Sequence, residues 1–347
     1  MISSLASRVF PRGVPGVRSV MQHGVHTMFG DPFDATVDPG DPGLMGPGSA
    51  TWQLLGEPCV MPMGFRALLV QMLHPIALEA VHTHGSFADD FLGRIKRTAL
   101  YLQLANFGST GQALDISATV QRIHRRVVGR TAQDEPYSAG DPHYLAWVGM
   151  TFTESTLAVH RAFGQRPVTD ELADRFVAEQ AVLNALLDPR VDLDALRGDP
   201  DAGARLRDGE VPLPLVEEGW VPTDVVGLTR RLAEFQPELE LRELGRASFR
   251  WLLDPPDLPR AQRAGWRVFV TSTLATLPPQ WRDLLDQPDS PLRDAVVAGG
   301  TRTLFDLFRV LHGPLTLPSL AASRVERRPV AGNGNTGDEG AQLQRAT

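Results

Sequence analysis

From Gly64 onward, apolar residues recur with helical spacing almost without relief, and no segment shows the apolar–polar alternation of a strand. Gly64 to His84 is apolar enough for a core helix. Pro75 must kink or divide it, because proline removes a backbone donor and its ring clashes with the preceding turn. Two helical patterns follow in Phe91 to Gly129, FLGRIKRTALYLQLANFGSTGQALDISATVQRIHRRVVG. Asp89 or Asp90 is placed to cap the first, and Gly108 ends it. Ser109 or Thr110 caps the second, and Gly129 is its expected stop. Asp141-Pro142 opens a helix that runs to about Phe163, with proline at the first helical position. Another starts at Thr169-Asp170-Glu171 and ends near Asp188-Pro189. Residues 189–221, rich in Gly, Pro and Asp, read as a polar break. Helical segments return near 223–235, 238–253, 259–277, 279–286 and 291–311.

These elements predict an all-α protein with a single large helical domain over 51–320. A flexible arm at 1–50 precedes it, irregular over 31–50, and a tail with the composition of a disordered segment follows at 321–347. The helices behind the break are expected as an outer layer on the first core, not as a second domain. The arm holds Arg8, Arg12 and Arg18 with no acid before Asp31, but Pro11 and Pro15 interrupt any apolar core of a signal peptide. No run approaches the roughly 18 apolar residues of a membrane span. A soluble, cytoplasmic protein without a cleaved export signal is therefore expected. The net charge of −7 argues against a nucleic-acid partner. Cys59 is the single cysteine, which excludes an internal disulfide and a thiolate metal cluster. No P-loop or G-x-S-x-G motif is present.

The candidate chemistry sits in the paired helices. Arg94, Arg97 and Thr98, at i, i+3 and i+4, share one face of the first. On the second, Ile116, Val120, Ile123 and Val127 form an apolar stripe with His124 beside it. Such a pair brings an imidazole and a cationic, hydroxylic cluster into one helical interior, as a buried, flat, anionic cofactor requires. A histidine on an apolar face is as a rule a core residue bonded to a backbone carbonyl, so spacing alone leaves both readings open. His82 and His84, two residues apart, point to different faces, and no carboxylate-rich helix follows at di-iron spacing. Surface or turn-capping roles are expected for them and for His74. Glu79 is an exposed helix glutamate or, if Pro75 turns its segment inward, an acid–base group. Arg125 and Arg126 suit the negative end of their helix, and one of them could instead reach an anionic cofactor group. His160, late in its helix beside Arg161, fits a C-terminal charge role.

Several of these stretches resemble, in order, the family of MpaB-type oxygenases and latex-clearing proteins (rubber oxygenases). They are Gly56-Glu57-Pro58, the run Arg66 to Pro75 (RALLVQMLHP), Arg94-Ile95-Lys96-Arg97-Thr98, Arg122-Ile123-His124-Arg125-Arg126-Val127 and Asp141 to Val148 (DPHYLAWV). The resemblance covers roughly Gly56 to Pro189. It implies a globin-like helical core around a non-covalent haem b, consistent with the lack of a C-x-x-C-H haem-attachment motif. His124 would then ligate the iron from the proximal side. Arg94 would anchor a propionate, with Arg125 as a second candidate, and Thr98 would bond within that cluster. Arg97 and Glu79 would face the distal side as catalytic groups. The implied partners are dioxygen, a hydrophobic or alkenyl small molecule and, for some outcomes, an electron donor. Rubber oxygenases commonly carry lysine at the position of Arg97, where it can approach the iron. Arginine stays protonated and cannot ligate, which counts against polyisoprene cleavage. The alternative is a non-catalytic haem-binding or gas- or haem-sensing helical protein.

Overall fold

The computed structural model describes residues 13–14, 16–85, 91–255 and 260–327. Among these the chain forms 17 α-helices and one two-stranded sheet. The first helices are α1 (Val17–Phe29), α2 (Ala50–Leu55), α3 (Met63–Gln71) and α4 (Pro75–His84). Pro75 divides the long apolar segment: α3 stops at Gln71, and α4 restarts with Pro75 in its first turn and His74 as its N-cap. The axes on the two sides of the break differ by 107°. A proline at N1 costs no helical hydrogen bond, so the chain makes a corner where an interior proline would have made a kink.

Next come α5 (Phe91–Phe107) and α6 (Thr110–His124). Gly108 separates them, and Ser109 and Gln112 form a capping box at the start of α6. The expected caps of α5, Asp89 and Asp90, lie outside the described residues. The helix ends at His124, well before Gly129, which belongs to β1 (Val128–Arg130). This strand pairs antiparallel with β2 (Pro136–Ser138), placing Gly129 opposite Tyr137. Three-residue strands are too short to show a period, which is why the sequence pattern missed them. Gly129 is required there, since a Cβ would stand 2.6 Å from the Tyr137 hydroxyl.

The spine of the fold is α7 (Pro142–Phe163), begun by Asp141 as N-cap, and beside it runs α8 (Asp170–Ala185), capped by Thr169. Trp147, Met150, Leu157 and Phe163 of α7 are fully buried, against α3 on one side and α8 on another. The 189–221 break is more ordered than its composition suggests. It holds α9 (Leu193–Arg197), α10 (Ala202–Arg207) and α11 (Pro214–Glu217), pinned by buried Leu193, Leu196, Leu206 and Leu215. One apolar contact per turn is enough to dock such short helices, but too few to read as a period.

The outer layer consists of α12 (Val225–Phe235), α13 (Glu243–Leu253), α14 (Arg260–Leu274), α15 (Pro279–Leu284), α16 (Pro291–His312) and α17 (Thr316–Glu326). Helix α12 packs on α7 and α8, α14 on α3, and α16 on α7. One continuous apolar core runs from Phe33 to Ala321. Helix α17 continues past 321 because Ala321 and Arg324 are buried. Arg324 donates to the carbonyls of Asp41 (2.9 Å) and Phe107 (2.7 Å), tying α17 to the 31–50 stretch and to the end of α5. Residues 328–347 of the expected tail lie outside the described residues. No single helix among those described is long and apolar enough to cross a membrane.

Candidate active site

The corner at Pro75 swings α4 away from α3 and opens a cavity of about 310 Å³, within the range of small-molecule sites. Its walls come from α4 (Ile76, Ala80, Val81), α5 (Arg94, Tyr101, Asn106), the end of α6 (Ile123, His124), Tyr137 of β2, α7 (Tyr144, Val148, Phe152) and α8 (Gln180, Leu183, Asn184). Most of this surface is apolar.

The predicted stripe on α6 is real but is not the helix's core face. Ala113, Leu114, Ser117 and Gln121 are the buried residues of α6, whereas Ile123 is 54% exposed and lines the cavity with His124 and Val127. Gln121 explains the inversion. Its amide donates to the carbonyls of Leu186 (3.0 Å) and Asp188 (2.7 Å) beyond α8, so a polar side chain faces inward to satisfy a helix end.

His124 is half-buried in the wall, and its Nδ1 is buried without a hydrogen-bond partner. Burial holds its pKa below the ordinary value, so the ring is a neutral imidazole with a free lone pair, the form that ligates metals. Arg94 lines the same cavity. Burial, and then the like charge of Arg97, depress its pKa, yet a guanidinium starts so far above neutrality that it remains a cation. Gly85 allows this placement, since a Cβ there would lie 2.5 Å from Arg94 Nη1.

The remaining predicted residues are not brought to the cavity wall. Arg97 is exposed and Thr98 half-buried, and neither lines the cavity. Three residues along a helix leave about 60° of rotation, enough at the margin of α5 to turn Arg97 to solvent. Glu79 accepts the backbone N–H of Ala132 in the turn between the strands. Arg125 is the exposed C-cap of α6. His160 does not fill the expected helix-end role. It is 3% exposed, with Nε2 2.6 Å from the Leu54 carbonyl and 3.5 Å from the Cys59 sulfur. Burial keeps it below its ordinary pKa, so it is a neutral core histidine and no helix-end charge.

Several polar wall residues were not read from the sequence as site residues. Most are engaged: Gln71 with Thr151 Oγ1 (2.9 Å), Gln180 with Asn106 Oδ1 (3.0 Å), and His84 with the Tyr137 hydroxyl (3.1 Å). Asn184 is different, because its amide nitrogen is buried without a partner. It packs against Gly149, where a Cβ would stand 2.0 Å from Nδ2. Tyr101 is a half-buried phenol whose pKa is pushed up by desolvation, so it stays a protonated donor. Amides and phenols inside helical patterns look like any other half-buried residue until neighbouring helices are placed.

Residues 52–310 match the family described as ER-bound oxygenase mpaB/B'/rubber oxygenase, catalytic domain. Comparison with curated proteins and with solved structures finds no match for this chain.

Proposed function

The chain belongs to the mpaB and rubber oxygenase catalytic-domain family, and from that premise we propose a haem b-dependent oxygenase that acts with dioxygen on a hydrophobic or alkenyl small molecule, with His124 as the proximal iron ligand. The observation that carries this reading is the pairing of His124 and Arg94 in one cavity. A neutral imidazole with an unpartnered nitrogen and a half-buried guanidinium share an otherwise apolar wall. A planar, apolar macrocycle with one metal centre and anionic edge groups matches that donor set.

Haem, when bound, supplies dioxygen binding and activation. The chain's own residues supply the rest. His124 would hold the iron through its ring lone pair and, being a neutral imidazole, would need no proton loss to do so. Arg94 would pair with a propionate, and the low dielectric around it would strengthen that attraction. Leu102, Ala105, Val148 and Phe152 exclude water and receive an apolar substrate. Tyr101 offers a hydrogen-bond donor to polar atoms of whatever binds in the cavity that it lines. Arg97 acts on Arg94 through its like charge, and neither Arg97 nor Thr98 lines the cavity.

The absorbance spectrum of purified protein tests this first. Protein expressed with haem supply should show a Soret band, bind carbon monoxide when reduced, and consume dioxygen with an alkenyl substrate. His124→Ala should remain helical by circular dichroism yet lose most of its haem, and added imidazole should partly restore the band. His82→Ala, on the exposed face of α4, should keep wild-type haem content. Full haem retention with an unchanged ferrous spectrum in His124→Ala would show that another residue is the ligand.

A further inference from the structure

A second group of ligand-type side chains gathers where α4, α7 and the 3-10 turn Gln236–Glu238 meet. His74 is the N-cap of α4, His143 lies in the first turn of α7, and Glu238 ends the turn. Their donor atoms all lie within 4.8 Å of one another. Glu238 Oε2 is 2.7 Å from His143 Nε2 and 3.4 Å from His74 Nε2. His74 is only 1% exposed, and its Nε2 is buried and aimed into this group without making a hydrogen bond. A buried ring nitrogen whose polar contact is a 3.4 Å approach to a carboxylate and no hydrogen bond is poorly satisfied, and a histidine serving only as an N-cap would not need to point it there.

We propose that His74, His143 and Glu238 bind one divalent transition-metal ion of the Zn²⁺ class, with water in the remaining positions. Two imidazoles and one carboxylate suit zinc and its first-row neighbours, whereas Ca²⁺ and Mg²⁺ require mostly oxygen donors. Tetrahedral bonds of about 2.0–2.1 Å put neighbouring donor atoms about 3.3 Å apart. The 3.4 Å separation already has that length. The 2.7 Å hydrogen bond must open by about 0.6 Å, a small movement for a glutamate that is 43% exposed. Ligation through His74 Nε2 places the ring proton on Nδ1, where the competing contact with the Ala77 N–H is 3.5 Å, the outer limit of a hydrogen bond. The histidine rings are further held by aromatic neighbours: His143 stacks on Phe235 at 4.4 Å, and Tyr144 lies 5.4 Å from His74. Tyr144 also lines the large cavity. The ion would therefore brace the wall of the active site at the corner that opens it.

The test is independent of haem. Full-length protein treated with chelator and desalted is titrated with Zn²⁺ by calorimetry, with metal content measured after gel filtration. One equivalent should bind to the wild type and raise its Tm. His143→Ala and Glu238→Gln, both at partly exposed positions, should remain folded and weaken binding at least about tenfold, as loss of a direct ligand does at minimum. His124→Ala should still bind one equivalent. The proposal is overturned if the wild type binds no stoichiometric zinc. Affinity unchanged in both ligand variants, or binding lost only in His124→Ala, overturns it equally.

Discussion

Arg66 opens one of the sequence runs shared with the oxygenase family, and the structure turns it into a measurable statement about stability. Its guanidinium is fully buried at the crossing of α3 and α7. Nη1 and Nη2 meet the two carboxylate oxygens of Glu154, Nη1 also reaches Ser155 Oγ (2.9 Å), and Nε donates to Thr276 Oγ1 (2.9 Å). Glu154→Gln leaves the positive charge buried while keeping one acceptor and the Ser155 and Thr276 bonds. Breaking a buried pair from one side costs about 3–5 kcal/mol. The retained bonds put the expected loss near the lower end, about 3 kcal/mol, against a total stability of about 5–15 kcal/mol. Arg66→Met removes the charge and leaves a glutamate that is 23% exposed and can hydrate, so its cost should be smaller, about 2 kcal/mol. The double variant should then resemble Arg66→Met alone, a coupling of about 3 kcal/mol. Urea unfolding followed by circular dichroism at matched pH measures all three. A loss below about 1 kcal/mol in Glu154→Gln, or additive costs in the double variant, would refute the reasoning, because no buried charge would then have been orphaned.

Three further outcomes can be checked. Gly85→Ala should push Arg94 out of the cavity wall, since the new Cβ meets Nη1 at 2.5 Å and the Val81 carbonyl at 2.7 Å; haem content should fall while helix content holds, and an unchanged haem content would free Arg94 of the anchoring role. Arg97→Lys should leave the resting spectrum unchanged up to alkaline pH, because the side chain is exposed and off the wall; a new six-coordinate species would place residue 97 at the iron. His160 is buried and its folded pKa lies below the ordinary value of about 6.5. Below that pH the unfolded chain takes up a proton that the folded chain refuses, so stability should fall with pH by up to about 1.4 kcal/mol per unit until the folded pKa is reached. A urea midpoint that rises between pH 6.5 and 5.5 would contradict this, and His160→Gln should flatten the slope.

The local elements were legible in the sequence because their causes are local. Ser109 with Gln112, Asp141-Pro142 and Thr169 announce helix starts through side chains that reach backbone groups only two or three residues away. Pro75 announces a break through its own ring. Helical periodicity likewise declared the fold class and placed Arg94 and His124 on facing patterns. What periodicity cannot state is what covers each face. Only the C-terminal end of the apolar stripe, Ile123 and Val127, proved to be a cavity wall, while Gln121 faced inward, because carbonyls some 65 residues later needed a donor. Arg94 and Arg97 share a face by counting, yet only the position of α4 decides which of them meets the cavity. The strands 128–130 and 136–138 are too short to carry a period, and α9, α10 and α11 bury only one or two leucines each. His160 read as a helix-end charge until α2 supplied the Leu54 carbonyl above it. The sharpest case is His74, His143 and Glu238. They are separated by 69 and 95 residues, and no spacing rule joins them. They meet because α3 turns a corner, α7 runs back past it and α12 delivers the Gln236–Glu238 turn to the same point. Short-range physics is written in neighbouring residues. Which surfaces come to face each other is decided by the packing of the whole core, and the site is made of those meetings.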